Sequence, residues 1–390
     1  MLCDGIAPPA MTAAAIRGVC AHNDVGAAVQ RTALPAIAAG ILHARLQRDD
    51  LLFEQGVLAS CAAARHVTSI SFRCTSEQRD LVVDRLLRHM TANDELGTEF
   101  RKQKEQALRR ALPSSWNARF RAEQRMRQEL YGTGHAYGWT QAGDYAAIEE
   151  VTCGQAALWL EDLRSNLLVI FADQQEVVAV NESADCGNML PAIGRVRMPT
   201  ILPQLPRKQV HLTCGSADEA CNAAGAIGPS HGDRDFETAQ LANLLLGRVG
   251  GMGLLGGWYR AHGLAYECGA VIEGGWGPGL WKLHAVFPRK DEEEQPSGIP
   301  EILDRFLNSE LSENALEAAR RMWIQQRLLN RSDAEGRAAF QVQARFLLAR
   351  QDDWSRETVY SIHAAQVKDV VARYWCGQSA ELHLQYKEEQ

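Results

Sequence analysis

The residues able to do metal or hydrolytic chemistry are scattered along this chain rather than gathered into motifs. There are eleven histidines, and none stands in a His-x-x-Glu-His run. Such a run would place two imidazoles on one helical face as zinc ligands, with the glutamate between them as general base. His43, in Leu42-His43-Ala44-Arg45, has no histidine four positions away and no carboxylate near it before Asp49. His231-Gly232-Asp233-Arg234-Asp235 is the one place where an imidazole and carboxylates lie close together. Glycine and aspartate ahead of a helix are what turn and cap formation require, and one imidazole falls short of the three protein ligands of a catalytic zinc. No metal ligands are therefore assigned. No Gly-x-Ser-x-Gly elbow exists, and no cysteine has a nucleophile setting. Gly247, Gly250, Gly251, Gly253, Gly256 and Gly257 form a cluster that permits close backbone approach and motion. It lacks the Gly-Lys-Ser/Thr close of a phosphate loop, and a plain helix connection also explains it.

The elements that must position these residues follow from periodicity. Residues 33–46 are apolar on most sides and predict a buried helix. Residues 67–74 alternate as a half-buried strand does, and Thr75-Ser76-Glu77-Gln78 then opens a helix with a capping-box pattern. Residues 99–130 are helical, rich in arginine, and interrupted near Pro113; interspersed glutamates make this a solvated face with i,i+4 pairs. A second capped helix begins at Thr152-Cys153-Gly154-Gln155 and leads to a strand over 167–172. Beyond a proline-rich stretch come a strand at 209–214, a helix near 234–247, strands near 265–273 and 279–287, and a helix from Ser312. Residues 151–155 and the segment after them resemble residues 362–366 and theirs, which suggests a duplicated unit. The expected division is an N-terminal domain over 1–187, a linker over 188–206 and a C-terminal domain over 207–390.

Length and composition bound the class. At 390 residues two domains are expected, and 46% hydrophobic residues supply their cores. A net charge of −7 argues against nucleic acid as the main partner. The ten cysteines form no CxxC pair and read as reduced core thiols, which points to the cytoplasm. No apolar run reaches the roughly 20 residues that span a bilayer, so no membrane partner is expected.

Three segments carry a resemblance. Leu130-Tyr131-Gly132-Thr133-Gly134-His135-Ala136-Tyr137-Gly138, followed by Ile148 to Thr152, is similar to one signature of the pitrilysin/insulinase-type zinc metalloprotease family, in its bacterial processing-peptidase-like branch. Ala242 to Gly247, continuing to His262-Gly263-Leu264-Ala265-Tyr266, resembles a second, and Leu311 to Leu329 a third. The resemblance implies an α+β fold: two tandem homologous domains, each an antiparallel sheet with helices packed on one face, closing around an extended peptide that pairs with a sheet edge. Family members normally begin with one strand more than residues 13–20 supply.

The resemblance also assigns roles. The 33–46 helix stands where working members carry His-x-x-Glu-His, so this chain is expected to be a non-catalytic, peptide-binding subunit of a heterodimer. It would hold no cofactor itself, and a homologous partner would supply the motif and the zinc. In the family an arginine and a tyrosine of the non-metal half reach the peptide near the scissile bond, where both can donate to a developing oxyanion. Tyr266 matches the tyrosine; seven residues before it stands Tyr259, with Arg260 next to it. One residue along a helix turns a side chain by about 100°. Gly250, Gly251, Gly253, Gly256 and Gly257 fall where the non-catalytic subunit of the mitochondrial processing peptidase has a substrate-handling glycine loop. Trp258, Trp276 and Trp281 are either groove or core residues. The implied substrate is a peptide, such as a precursor of a modified peptide. The other reading is a scaffold or peptide-binding protein without turnover, like the core subunits of respiratory complexes.

Overall fold

A computed structural model describes residues 13–21, 29, 31–65, 67–92, 94–113, 116–173, 177–179, 208–215, 219–247, 253–261, 265–273, 279–288, 298–343, 356–376 and 378–384. The first half contains strands β1 (Ala13–Ala21), β2 (Leu58–Ala63), β3 (Val67–Thr75), β4 (Leu167–Ala172) and β5 (Val177–Ala179). Its helices are α1 (Leu34–Gln47), α2 (Asp50–Glu54), α3 (Arg79–Thr91), α4 (Leu96–Ala111), α5 (Ala118–Tyr131), α6 (Tyr145–Glu149) and α7 (Cys153–Ser165). The second half contains β6 (Lys208–Gly215), β7 (Glu219–Ile227), β8 (Glu267–Glu273), β9 (Leu280–Pro288) and β10 (Gln378–Leu384). Its helices are α8 (Phe236–Gly247), α9 (Leu254–Ala261), α10 (Gly298–Asn308), α11 (Glu313–Leu329), α12 (Ala334–Gln343), α13 (Arg356–Tyr360) and α14 (Ala364–Trp375). The linker expected over 188–206 lies outside the described residues.

The fold is α+β. The sheets have the orders β2-β3-β1-β4-β5 and β10-β6-β7-β9-β8. Every pairing is antiparallel except β10 with β6, which is parallel. Read outward from the far edge, β2-β3-β1 corresponds to β8-β9-β7. The slot that β6 fills between β7 and β10 does not exist in the first sheet: β4 bonds β1 directly, from Ala15↔Ala172 to Cys20↔Leu167. Among the described residues no strand stands between β1 and β4.

Each half's own helices cover one face of its sheet, and the other face is covered by a helix from the opposite half. Helix α5 lies over β6, β7 and β9, while α12 lies over β1 and β4. Sequence dictates this double cover. All six residues of β4 are buried, as are Leu280 to Phe287 of β9, and such runs need apolar cover on both faces. Ala118, Ala122, Met126 and Leu130 of α5 share a core with Val210, Leu212, Ala223 and Val286 of the second sheet. Contact is close enough that a Cβ on Gly225 of β7 would come within 2.1 Å of the Met126 sulfur.

The first half is tied internally by charge. Asp49 caps α2 by accepting from Leu52 N (3.1 Å), and it also takes bonds from Arg85 Nε (2.6 Å) and His89 Nε2 (2.5 Å). Beside it the buried Arg45–Glu99 pair stands at 2.7 Å, and Arg45 also donates to the His89 carbonyl at 2.6 Å. Burial alone would raise the Asp49 carboxyl, but its bonds to Arg85, His89 and Leu52 outweigh this and hold it below its usual range. A carboxyl depressed on folding stabilises the fold above its unfolded value of about 3.9, and that contribution is lost as pH falls through the lower folded value. Asp49→Asn is expected to cost about 3–5 kcal/mol at pH 7, since it leaves Arg85 without its buried partner. Urea unfolding across pH 2–7 checks this, and the variant should show a smaller loss of stability below about pH 4.

Candidate functional site

The second half brings titratable residues together at the end of its edge strand. Tyr266 N donates to Val286 O at 3.1 Å, while Glu267 stands opposite Val286 in the register. Two residues thus face one, the count of a β-bulge, and bulges re-aim the side chains they carry. The Tyr266 ring is 59% exposed, and its hydroxyl donates to Glu219 Oε1 at 2.5 Å. Glu219 opens β7, so residues 47 positions apart meet here. Local desolvation, the bond to Glu219 and the charge of Glu267 push the Tyr266 hydroxyl up to about 12. At neutral pH it is therefore a donor and not a base. Glu267 pairs with Arg119 of α5 and faces His284 Nε2 at 3.3 Å. Burial, then the Arg119 charge, hold the His284 imidazole below its usual range.

One turn along α5 a buried network follows. Lys282 Nζ reaches Glu123 Oε2 (2.6 Å) and Glu273 Oε1 (2.7 Å), and Arg127 joins Glu123 (2.9 Å) and Glu273. Burial would raise Glu273, but Arg127 and Lys282 overcome it and bring the carboxyl down to about 2. The Leu130–Gly138 segment caps this seam: Tyr131 stacks on His135 and meets Tyr137 edge-on, each at 5.4 Å. Arg65 lies 5.0 Å over the Tyr137 ring and donates to Ala136 O and Trp139 O. Gly138 is required there, because a Cβ would stand 2.0 Å from Gly132 O. The glutamates and arginines of α5 thus do more than solvate a helix face; Arg119 and Arg127 join the two halves.

The other candidates are placed as follows. Arg260 lies in α9, its side chain outside the described residues, as are Gly250, Gly251 and Trp276. Tyr259 is buried in the second core, so the position seven before Tyr266 contributes nothing to the exposed cluster. Gly256 and Gly257 stand inside helix α9 rather than in a loop, and Gly253 directly precedes that helix. Trp281 is core, donating to Asn243 Oδ1 at 3.1 Å, and Trp258 packs beside Gly298 of α10. Asp233 accepts from Ser230 N, a turn bond, and His231 packs on Phe236, where burial and Arg327 push it down to about 4. Among the described residues no group of three His, Cys, Asp or Glu could hold a metal ion, and no helix is long and apolar enough to cross a membrane.

Helix α1 uses its polar tail differently from a metal site. His43 and Gln47, four residues apart and so on one face, both reach β2: Cys61 N donates to His43 Nδ1 at 3.3 Å, and Gln47 Nε2 donates to Ala59 O. Ala59 and Cys61 alternate on a strand, so these two groups share the side away from β3. In the second half, α8 mirrors this with Asn243 Nδ2 donating to Ala270 O of β8 at 3.1 Å. None of Gln47, Asn243, Glu219, Glu267 or His284 carries a sequence signal of its role, because each acts through a partner far along the chain.

No protein-family model matches the sequence, and a search of curated proteins returns no match. Solved structures do resemble it. The peptidase M16 inactive domain from Pseudomonas fluorescens has a TM-score of 0.74 at 14% identity, covering 93% of this chain and 90% of its own. A protease from Helicobacter pylori scores 0.77 at 13% identity, covering 96% and 95%. A chain of complex III2 from Candida albicans scores 0.68 at 11% identity, covering 94% and 88%. At these identities the likeness establishes a shared M16-like peptidase fold along nearly the whole chain.

His43→Ala should accelerate amide exchange of Cys61 by about fivefold, the equivalent of one hydrogen bond of about 1 kcal/mol, and leave the Val169 amide unchanged. Arg127→Met should destabilise the chain by about 3–5 kcal/mol, because Glu273 and Glu123 are left with Lys282 as one buried cation for two carboxylates. Thermal and urea unfolding measure this.

Proposed function

We propose that this chain is the non-catalytic, peptide-binding subunit of a heterodimeric zinc peptidase. A homologous partner supplies His-x-x-Glu-His and the zinc. The observation that carries this reading is the use of α1: its His43 and Gln47, at the i and i+4 positions of a zinc pair, are spent on the β2 backbone. Further support comes from Tyr266, a protonated donor with an exposed ring at a bulge. The fold shared with an inactive M16 domain and with a protease points the same way. In the proposed role Tyr266 donates to the peptide at the shared site, and Arg260 and the glycines at 250, 251, 253, 256 and 257 assist in holding it. The partner's zinc supplies the Lewis acid. A cytoplasmic site of action fits the described cysteines, of which Cys61, Cys74, Cys153, Cys221, Cys268 and Cys376 are in no disulfide.

A second reading, a scaffold without turnover, is favoured by the likeness to a chain of complex III2. Co-expression with a homologue bearing His-x-x-Glu-His, followed by a fluorogenic peptide assay, separates the two. Under the first reading the homologue alone is slow and the pair is fast. Tyr266→Phe should then lower kcat/KM of the pair about tenfold or more at unchanged melting temperature. Equal turnover with and without this chain would leave the scaffold reading, and stoichiometric zinc in the isolated chain would overturn the first.

A further inference from the structure

The cysteines are scattered along the sequence, but the fold sets two of them against each other. In the register of β6 with β7, Cys214 stands directly opposite Cys221. No other two cysteines oppose one another across the described strand pairs. Directly opposed residues of an antiparallel pair leave the sheet on one face, with Cα atoms about 4.5 or about 5.5 Å apart according to pair type. A disulfide spans Cα separations of about 4.4–6.8 Å, so either pair type lies within its reach. Cys221 is in no disulfide and is completely buried, in the core that Ala118 and Ala122 of α5 share with β6 and β7. Packing under α5 calls for small residues, and alanine serves at Ala223. Two opposed thiols add a chemistry that alanine lacks. Closing a disulfide adds no atom to this core, whereas a second molecule attached to Cys221 would have no space to enter. The pair lies one step inside the end of the hairpin, where Gly215 meets Ala220. Glu219 follows on the same face of β7 as Cys221 and holds the Tyr266 hydroxyl at 2.5 Å.

From this register we infer that Cys214 and Cys221 form a redox-active dithiol, oxidised by a small disulfide such as glutathione disulfide, and that the bond formed clamps the β6–β7 hairpin beside Glu219. The inference stands apart from the subunit reading above. Its chemistry is thiol–disulfide exchange through a mixed disulfide. The Cys214 thiolate attacks one sulfur of glutathione disulfide and expels a glutathione thiolate. The Cys221 thiolate then attacks the Cys214 sulfur and expels the second. The protein loses two protons and two electrons, and one glutathione disulfide becomes two glutathiones. Burial of Cys221 sets this order, since the bulky mixed disulfide has no room there and the intramolecular bond does. The product closes a ring over residues 214–221. Glu219 lies within that ring, so the clamp acts on the strand end from which Glu219 reaches Tyr266.

The test equilibrates the full chain in glutathione buffers stepped from reduced to oxidised, followed by acid quench, unfolding, alkylation and peptide mapping. Cys214 and Cys221 should lose alkylation together, about tenfold between the two extremes, and appear as one cross-linked peptide. Cys61, Cys74, Cys153 and Cys268 should stay alkylated throughout. In Cys221→Ala, Cys214 should carry glutathione in place of the cross-link; in Cys214→Ala, Cys221 should stay a thiol. Amide exchange in Glu219–Ile227 should slow about threefold on oxidation, and the oxidised buffer should leave it unchanged in Cys221→Ala. Full alkylation of both thiols in the oxidised buffer, a glutathione adduct on Cys214 of the parent chain without a cross-link, or a cross-link from either cysteine to a third would overturn the inference. A Cys214–Cys221 cross-link that leaves exchange in Glu219–Ile227 unchanged would overturn the clamp.

Discussion

The fold depends on a mutual debt between its halves: each sheet has an apolar second face that only a helix of the other half covers. Without α5, the sides of β7 and β9 that carry Ala223, Leu280 and Val286 would face water. Without α12, the same would hold for β4, all of whose residues are buried. A sheet so made cannot be completed by its own half, because the chain places the covering helix before or after the wrong sheet. Arg73 pairs with Glu335 at 2.7 Å and Arg337 donates to Asp173 O at 2.6 Å, so the α12 seam is fixed by polar contacts at its rim as well.

The α5 seam is polar at its centre, which is costlier. Two cations and two carboxylates from three elements are removed from water together. Their mutual attraction offsets that desolvation only when the geometry is close, and here each of Lys282 and Arg127 touches both Glu123 and Glu273. An apolar seam would tolerate a slide of α5 along the sheet. A four-membered charge cluster does not, since a shift of one turn would strand at least one buried ion. The network thus fixes the register between halves, and through Arg119 and Glu267 it sets where the bulged end of β8 lies.

Much of this architecture is legible in the sequence where periodicity is strong. The helix read over 33–46 is α1 at Leu34–Gln47, and the strand read over 67–74 is β3 at Val67–Thr75. The likeness between residues 151–155 and 362–366 has a physical basis: Gln155 and Gln366 each accept from the backbone N–H three residues earlier, opening α7 and α14. The pattern at Thr75–Gln78 closes the same bond but over a 3₁₀ turn before α3. What stays hidden is β2 (Leu-Ala-Ser-Cys-Ala-Ala) and β7 (Glu-Ala-Cys-Asn-Ala-Ala-Gly-Ala-Ile). Their small residues lack the β-branched and aromatic signal of strands. They are small because helices press on them, as Met126 does at Gly225. The arginines of α5 read as solvated for a similar reason: nothing local reveals that Lys282, more than 150 positions on, will stand opposite.

The same constraint bears on the role proposed for Tyr266. Its hydroxyl is held by Glu219, a carboxylate that both orients the donor and occupies it. A neutral peptide carbonyl is a weaker acceptor than that carboxylate and would not draw the proton away. In the proposed role a developing oxyanion is a comparable acceptor, so the hydroxyl changes partner only as negative charge builds on the peptide. A donor stored against a carboxylate therefore contributes little to binding and more to the transition state, which is the condition under which an interaction raises turnover rather than merely lowering KM. In the proposed role the carboxylate partner sets this threshold, and the chain positions it by the same hairpin start and bulge that bring Glu219 and Tyr266 to one end of the sheet.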